Sequence, residues 1–180
     1  FPGCARRLIS ISGTAAASPL AIALRSVQRE AILRDPQWLN GQYPEDQPPR
    51  HGMGIARKLG TITYRSPLEW NERFGRRPLM RERDRYATSD FAAEFAIEGY
   101  LDAQASKFAS SFDANCYLYL SRAMDRFDLG SHGGSLADIF RRSALHDALI
   151  IGVETDMLFP IGEQAMLADA LTEAGVTTHF

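Results

Sequence analysis

The sequence predicts an α/β fold in which a large helical insertion separates the strands of one sheet. Three observations lead there. A short strand rich in β-branched residues opens the chain at Arg7–Ser12, and no second strand reads until Ala148–Val153. Helix and loop patterns fill 13–147, and a helix and a further strand then follow within 162–180. The apolar run Leu149-Ile-Ile-Gly-Val153 breaks off into Glu154-Thr-Asp156, and a carboxylate at the carboxyl end of a strand is how an open α/β sheet presents a working group. One sheet with a helical insertion accounts for this order better than a free helical bundle.

Each element has a local reason. Gly13 closes the first strand. Leu20, Leu24, Val27, Ala31 and Ile32 recur at helical spacing over 18–34, with Ser18 as N-cap, Pro19 at the first helical position and Asp35-Pro36 as the stop. Residues 35–51 read as loop. Gly52–Tyr64 reads as a helix with Met53, Ala56, Leu59, Ile62 and Thr63 on one side, and Pro67–Phe74 as a shorter one ended by Gly75. The charged stretch 76–86 reads as a solvated surface loop.

The clearest helical pattern runs from Ser89, its cap, to Phe108, with Asp90 and Glu94 favouring its amino end. Asp113–Phe127 follows, with Tyr117, Leu120, Met124 and Phe127 expected inward. Ser135 and Asp138 form a capping box for the next helix. Gly162–Ala174 is a helix closed by Gly175, and Val176–Phe180 opens a last strand.

Composition narrows the function classes. With 180 residues, 45% hydrophobic and 23% charged, the chain can bury a real core. A net charge of −2 gives no basis for nucleic acid or an anionic membrane as partner. No apolar run approaches the ~18 residues of a membrane span. Cys4 and Cys116 form neither a disulfide framework nor a metal set, and reduced thiols in the cytoplasm are the expectation. His51, His132, His146 and His179 have no carboxylate or cysteine at metal spacing. The aromatics Phe91, Phe95, Tyr100, Phe108, Tyr117 and Tyr119 read mostly as core. Gly133-Gly-Ser-Leu-Ala137 is not a nucleophile elbow, because no strand precedes it; Ser135 reads as a helix cap.

Several segments together resemble the homoserine O-acetyltransferase family of α/β-hydrolase-fold enzymes, which includes serine O-acyltransferases. They are Ser26–Pro36, Gly54–Ser66, Arg73–Arg76, Lys107–Leu120 and Asp156–Pro160, in family order over most of the chain. The resemblance implies a partial α/β-hydrolase fold: core strand 1–14, helical lid 15–147, carboxyl-half core 148–180. It implies Asp156 as the acid of a Ser-Asp-His triad. The serine is expected about a dozen residues before Phe1 and the histidine about 30 residues past Asp156, so the chain alone is expected to lack turnover.

The resemblance also implies that Arg57 and Tyr64, about two helical turns apart, bind the amino-acid substrate. A guanidinium suits an α-carboxylate through two parallel hydrogen bonds. The implied reaction is ping-pong transfer from acetyl-CoA or succinyl-CoA to the hydroxyl of L-homoserine or L-serine, in methionine or cysteine biosynthesis. Thr63–Ser66 followed by Leu68–Trp70 leans toward serine acylation. No metal or bound organic cofactor is implied, acyl-CoA being a co-substrate, and a homodimer through the lid helices is expected. An esterase of the same fold and a non-catalytic helical dimerisation module stay open as alternatives.

Overall fold

The computed structural model describes residues 3–79 and 92–180. The chain divides into two compact units, Phe1–Ala23 with Ser121–Phe180, and Leu24–Leu120.

The first unit holds the sheet. Strands β1 (Arg7–Ile11), β2 (Asp147–Ile151) and β3 (Thr177–His179) are all parallel and lie in that order, with Leu8 opposite Ala148, Ser10 opposite Ile150 and Leu149 opposite His179. Parallel neighbours require a crossover, and helix α7 (Ile161–Glu173) supplies the one from β2 to β3. Side chains alternate along β2, so Ala148 and Ile150 turn inward onto Phe140, Leu167, Ala168, Leu171 and Val176. Ile9, Ile11, Leu149 and Ile151 occupy the alternate positions and are exposed, Ile9 and Ile11 at 67% and 65%.

Ser135 caps α6 (Leu136–Arg141): its hydroxyl accepts the Asp138 N–H, and the Asp138 carboxylate accepts the Ser135 N–H. Gly133 and Gly134 before it have positive φ and no strand precedes them, so Ser135 is a cap and not an elbow.

The second unit is helical. The division falls within α1 (Pro19–Leu33) and α5 (Ala114–Asp125); between them lie α2 (Arg50–Thr63), α3 (Pro67–Arg73) and α4 (Ala96–Ala109). Ile32, Met53, Ala56, Ala109 and Ala114 form the core, with Trp38, Tyr43, Phe108, Tyr117 and Leu118 packed on it. Gly52 allows α2 to meet α1: a Cβ there would lie 2.4 Å from the Ala31 carbonyl oxygen. Lys58 is ion-paired with Asp102, which joins α2 to α4.

Several expectations are corrected. Within α1, Leu20 and Val27 are exposed, and Ala21, Gln28 and Arg29 are buried instead, beside Ile32, which is buried as expected. Ile62, Tyr119, Leu120, Met124 and Phe127 are likewise exposed rather than inward. The period was helical in each case, but the stripe that is covered depends on neighbours that periodicity does not name. Residues 36–41 are a 3₁₀ turn, not plain loop, with Leu39 and Asn40 at positive φ.

Helix α4 begins at Ala96, later than expected. An antiparallel bridge between Pro78 and Phe95 keeps 94–95 extended, and the Glu98 carboxylate accepts the N–H groups of both Glu94 and Phe95. The proposed cap Ser89, with Asp90 and Phe91, lies outside the described residues, as do Arg81, Arg83 and Arg85. Arg76 is stacked over the Phe95 ring at 5.1 Å. Arg65 is ion-paired with Glu69 and lies 5.6 Å from the Trp70 ring centroid.

Candidate functional site

Asp156 sits in the turn that leaves β2. The strand ends at Ile151 and the Asp156 N–H donates to the Val153 carbonyl at 3.0 Å, which closes the turn. Its Oδ1 then accepts two backbone N–H groups, from Leu158 at 2.9 Å and Phe159 at 3.0 Å. An aspartate folding back on the amides that follow it is standard turn chemistry and fixes the carboxylate plane. Oδ2 takes no hydrogen bond and no ion pair among the described residues. One oxygen is thus anchored and the other is open to an outside donor.

The turn is held from the far side as well. Gln164 of α7 is completely buried, and its Nε2 donates to the Phe159 carbonyl at 2.6 Å. Gly152 lies where β2 meets α7: a Cβ there would come within 2.2 Å of Ile161 Cδ1. Sequence reasoning missed Gln164. The available signal was a lone amide three residues after Ile161 and three before Leu167, on what is otherwise the apolar face of α7. Glu154, the neighbouring carboxylate, is exposed.

Arg57 and Tyr64 belong to the second unit, where α2 brings them together. The Arg57 guanidinium carbon is 5.7 Å from the Tyr64 ring centroid. It is closer still, 4.8 Å, to the Phe108 ring of α4. Phe108 stacks on Phe112 at 5.0 Å and meets Tyr117 edge-on at 6.1 Å. Tyr64 is the C-cap residue of α2 and is well exposed. Arg57 Nε is buried without a hydrogen-bond acceptor among the described residues.

Three arginines of this unit, Arg25, Arg29 and Arg57, act electrostatically on Tyr117. Burial pushes the Tyr117 phenol up to about 12; the charge of Tyr64 adds to the rise, and Arg57, Arg29 and Arg25 oppose it. Arg29 is itself 6% exposed. Sequence reasoning placed Phe108 and Tyr117 in the core and did not single out Arg25 or Arg29, although the latter pair stand one helical turn apart on α1. Cationic forks beside phenols and aromatic faces can hold a carboxylate, and an aspartate with one free oxygen can orient an imidazole.

A separate cavity of about 400 Å³ in the same unit is lined by Arg50, His51, Lys58, Asp102 and Ser106 among others; neither Arg57 nor Tyr64 lines it. Among the described residues, no group of three or more His, Cys, Asp or Glu side chains is placed to hold a metal ion. None of the helices described is long and apolar enough to cross a membrane.

Comparison with known proteins gives these arrangements a context. Residues 4–178 match the family model of the α/β hydrolase fold. The chain is 49% identical over its whole length to a serine O-succinyltransferase from Litchfieldella anticariensis, covering 49% of that protein. It is also 49% identical to an L-serine/homoserine O-acetyltransferase from Streptomyces lavendulae, with 99% of the chain aligned to 48% of the relative. The chain therefore spans about half the length of the curated relatives it matches. Among solved structures, a homoserine O-acetyltransferase from Bacillus anthracis superposes with a TM-score of 0.79 over 97% of this chain and 45% of its own, at 19% identity. That likeness bears on fold alone, and it agrees with the parallel β1-β2-β3 sheet. With the family pattern running from Cys4 to Thr178, the chain belongs to the α/β-hydrolase fold family.

Proposed function

We propose that the protein to which this chain belongs is an O-acyltransferase that carries an acyl group from a coenzyme A thioester to the side-chain hydroxyl of an amino acid. Succinyl-CoA as donor and L-serine as acceptor are the pair we favour. The observation that carries the proposal is the Asp156 carboxylate, with Oδ1 fixed by two amides and Oδ2 open at the end of a parallel strand. Support for the transferred group comes from the relatives' names, serine O-succinyltransferase and L-serine/homoserine O-acetyltransferase.

In this reading Asp156 Oδ2 accepts the Nδ1–H of a catalytic histidine, fixes its tautomer and stabilises the imidazolium. The histidine takes the proton of a serine hydroxyl as the serine oxygen attacks the thioester carbonyl. The tetrahedral intermediate collapses, the C–S bond breaks, and the thiolate leaves as the free thiol with the histidine's proton. The acceptor hydroxyl then gives its proton to the same histidine and attacks the acyl-serine, releasing the O-acyl amino acid and restoring the serine. The resemblance puts that serine and histidine outside residues 1–180.

Arg57 clamps the acceptor's α-carboxylate, and Tyr64 lines the same site. Exclusion of water from the site favours transfer over hydrolysis. An O-acylated serine carries a good leaving group for displacement by sulfide, which suits cysteine synthesis. A cytoplasmic homodimer is the form we expect.

The test is thiol release by the full-length protein from succinyl-CoA or acetyl-CoA, with L-serine, L-homoserine or no amino acid. The proposal expects release that depends on the amino acid, and O-succinyl-L-serine identified by mass. Release at the same rate without any amino acid would make the protein a hydrolase instead.

A further inference from the structure

Arg57 does not reach its position through α2 alone. Its guanidinium carbon lies 4.8 Å from the Phe108 ring centroid, nearer than the 5.7 Å that separates it from Tyr64. Phe108 comes from α4, so the contact spans two helices. The ring is itself braced: Phe112 stacks against it at 5.0 Å with 14° between planes, and Tyr117 meets it edge-on at 6.1 Å and 79°. A phenyl ring pinned in this way by two other aromatics offers one fixed face, and a guanidinium over a desolvated aromatic face is held by the ring quadrupole.

The Nε of Arg57 is buried and has no acceptor among the described residues. A carboxylate therefore cannot approach along the Nε edge. It can meet only the terminal edge, where Nη1 and Nη2 point the same way.

We infer that Phe108 is a positioning residue for the acceptor site: its ring, braced by Phe112 and Tyr117, holds the Arg57 guanidinium so that the two terminal nitrogens face the substrate carboxylate. This rests on the carboxylate-clamp reading of Arg57. Phe108 touches neither acyl donor nor nucleophile in this scheme, so it acts on acceptor affinity and leaves the first half-reaction alone. A long side chain that needs no reordering when substrate arrives binds it more tightly, because the entropy of fixing it has already been lost on folding.

The test is steady-state kinetics on the full-length protein, with the burst of thiol release in the absence of acceptor as a check that the acylation half-reaction is intact. Phe108→Leu is expected to raise the acceptor KM about 3- to 30-fold, the span of cation–π contacts from exposed to desolvated, with donor KM, kcat and burst size holding within about twofold. Phe108→Tyr keeps the ring face and is expected to keep the low KM. On an Arg57→Ala background, Phe108→Leu is expected to add nothing. If Phe108→Leu fails to fold, Phe108→Met removes the ring with an unbranched chain and reads the same quantities.

Three results would overturn the inference: an unchanged acceptor KM without the ring, an equal rise in donor and acceptor KM, or the same rise with and without Arg57. If Arg57→Ala itself leaves the acceptor KM unchanged, the clamp reading has failed. If Arg57→Ala raises the KM and loss of the ring does not, only the role of Phe108 has failed.

Discussion

The Asp35 carboxylate, buried at the end of α1, accepts the Gly52 N–H of α2 at 2.7 Å, and through this contact the helix that carries Arg57 and Tyr64 is fixed at its amino end. The other oxygen of Asp35 accepts the Gln37 N–H at 2.9 Å. The first turn of a helix has amide N–H groups without intrahelical partners, and a buried one needs an acceptor. Asp35→Ala removes both bonds at once and is expected to cost about 2–3 kcal/mol of stability. Gly52→Ala is expected to cost about 1–3 kcal/mol, because the new Cβ falls on the Ala31 carbonyl. Denaturant midpoints measure both, and unchanged midpoints would contradict the contact.

Burial holds the Tyr117 phenol up at about 12, well above the usual range of a tyrosine. A raised folded value means that the protonated form is favoured in the native state. The stabilisation is fully present below the unfolded value near 10 and is lost as pH rises through about 12. Absorbance titration of phenolate should show a late component to which Tyr117 contributes, with Tyr43 also raised by burial and its bond to Asp113, and Tyr117→Phe should shrink that component.

At the acid end the corresponding group is Asp113. The Tyr43 hydroxyl donates to its Oδ2 and the Cys116 N–H to its Oδ1, and these bonds hold its carboxyl below the ordinary carboxylate range. A depressed folded value gives stability that is present above the unfolded value, about 4, and is lost as pH falls through the folded one. Asp113→Asn should flatten part of the fall in melting temperature below pH 4, and an unchanged acid profile would refute the assignment.

Arg57 and Tyr64 share a helix face, but the account gives them unequal work. Loss of a charge-assisted, two-bond clamp corresponds to about a 10- to 100-fold change in affinity. Arg57→Ala should therefore raise the acceptor KM by about that factor, and Tyr64→Phe by less than about threefold. Equal effects in acceptor kinetics would remove the clamp role.

The pattern of success and failure in the sequence has physical causes. Strands β1 and β2 were legible because short β-branched runs end on glycine, and α7 because Pro160 and Gly175 bracket it. Asp156 stood out through its place just after the strand taken together with the family resemblance, since an aspartate in such a turn is ordinary by itself. Helical spacing puts Arg57 and Tyr64 on one side of α2, and their reading as substrate-binding residues came from the family resemblance. Phe108, Tyr117 and Gln164 did not stand out in the sequence as neighbours of Arg57 and Asp156, because those contacts join residues that no local pattern links. The same holds for Leu20, Val27, Leu120 and Met124, each on a correct helix but on a face left exposed among the described residues. The start of α4 differs from the expectation because the Pro78 bridge holds Phe95 extended and the Glu98 carboxylate accepts the Glu94 and Phe95 amides at the helix's amino end, contacts that the spacing of apolar residues does not show.

The central claim is that Asp156 steers a catalytic imidazole, and the kcat of Asp156→Asn in the full-length protein tests it most directly. The substitution keeps the shape and leaves an oxygen for the Leu158 and Phe159 amides. It removes the charge that faces the histidine. The account predicts a fall in kcat of about 10³- to 10⁴-fold, with donor and acceptor KM little changed and Glu154→Gln close to the parent enzyme. A kcat for Asp156→Asn within tenfold of the parent would contradict it.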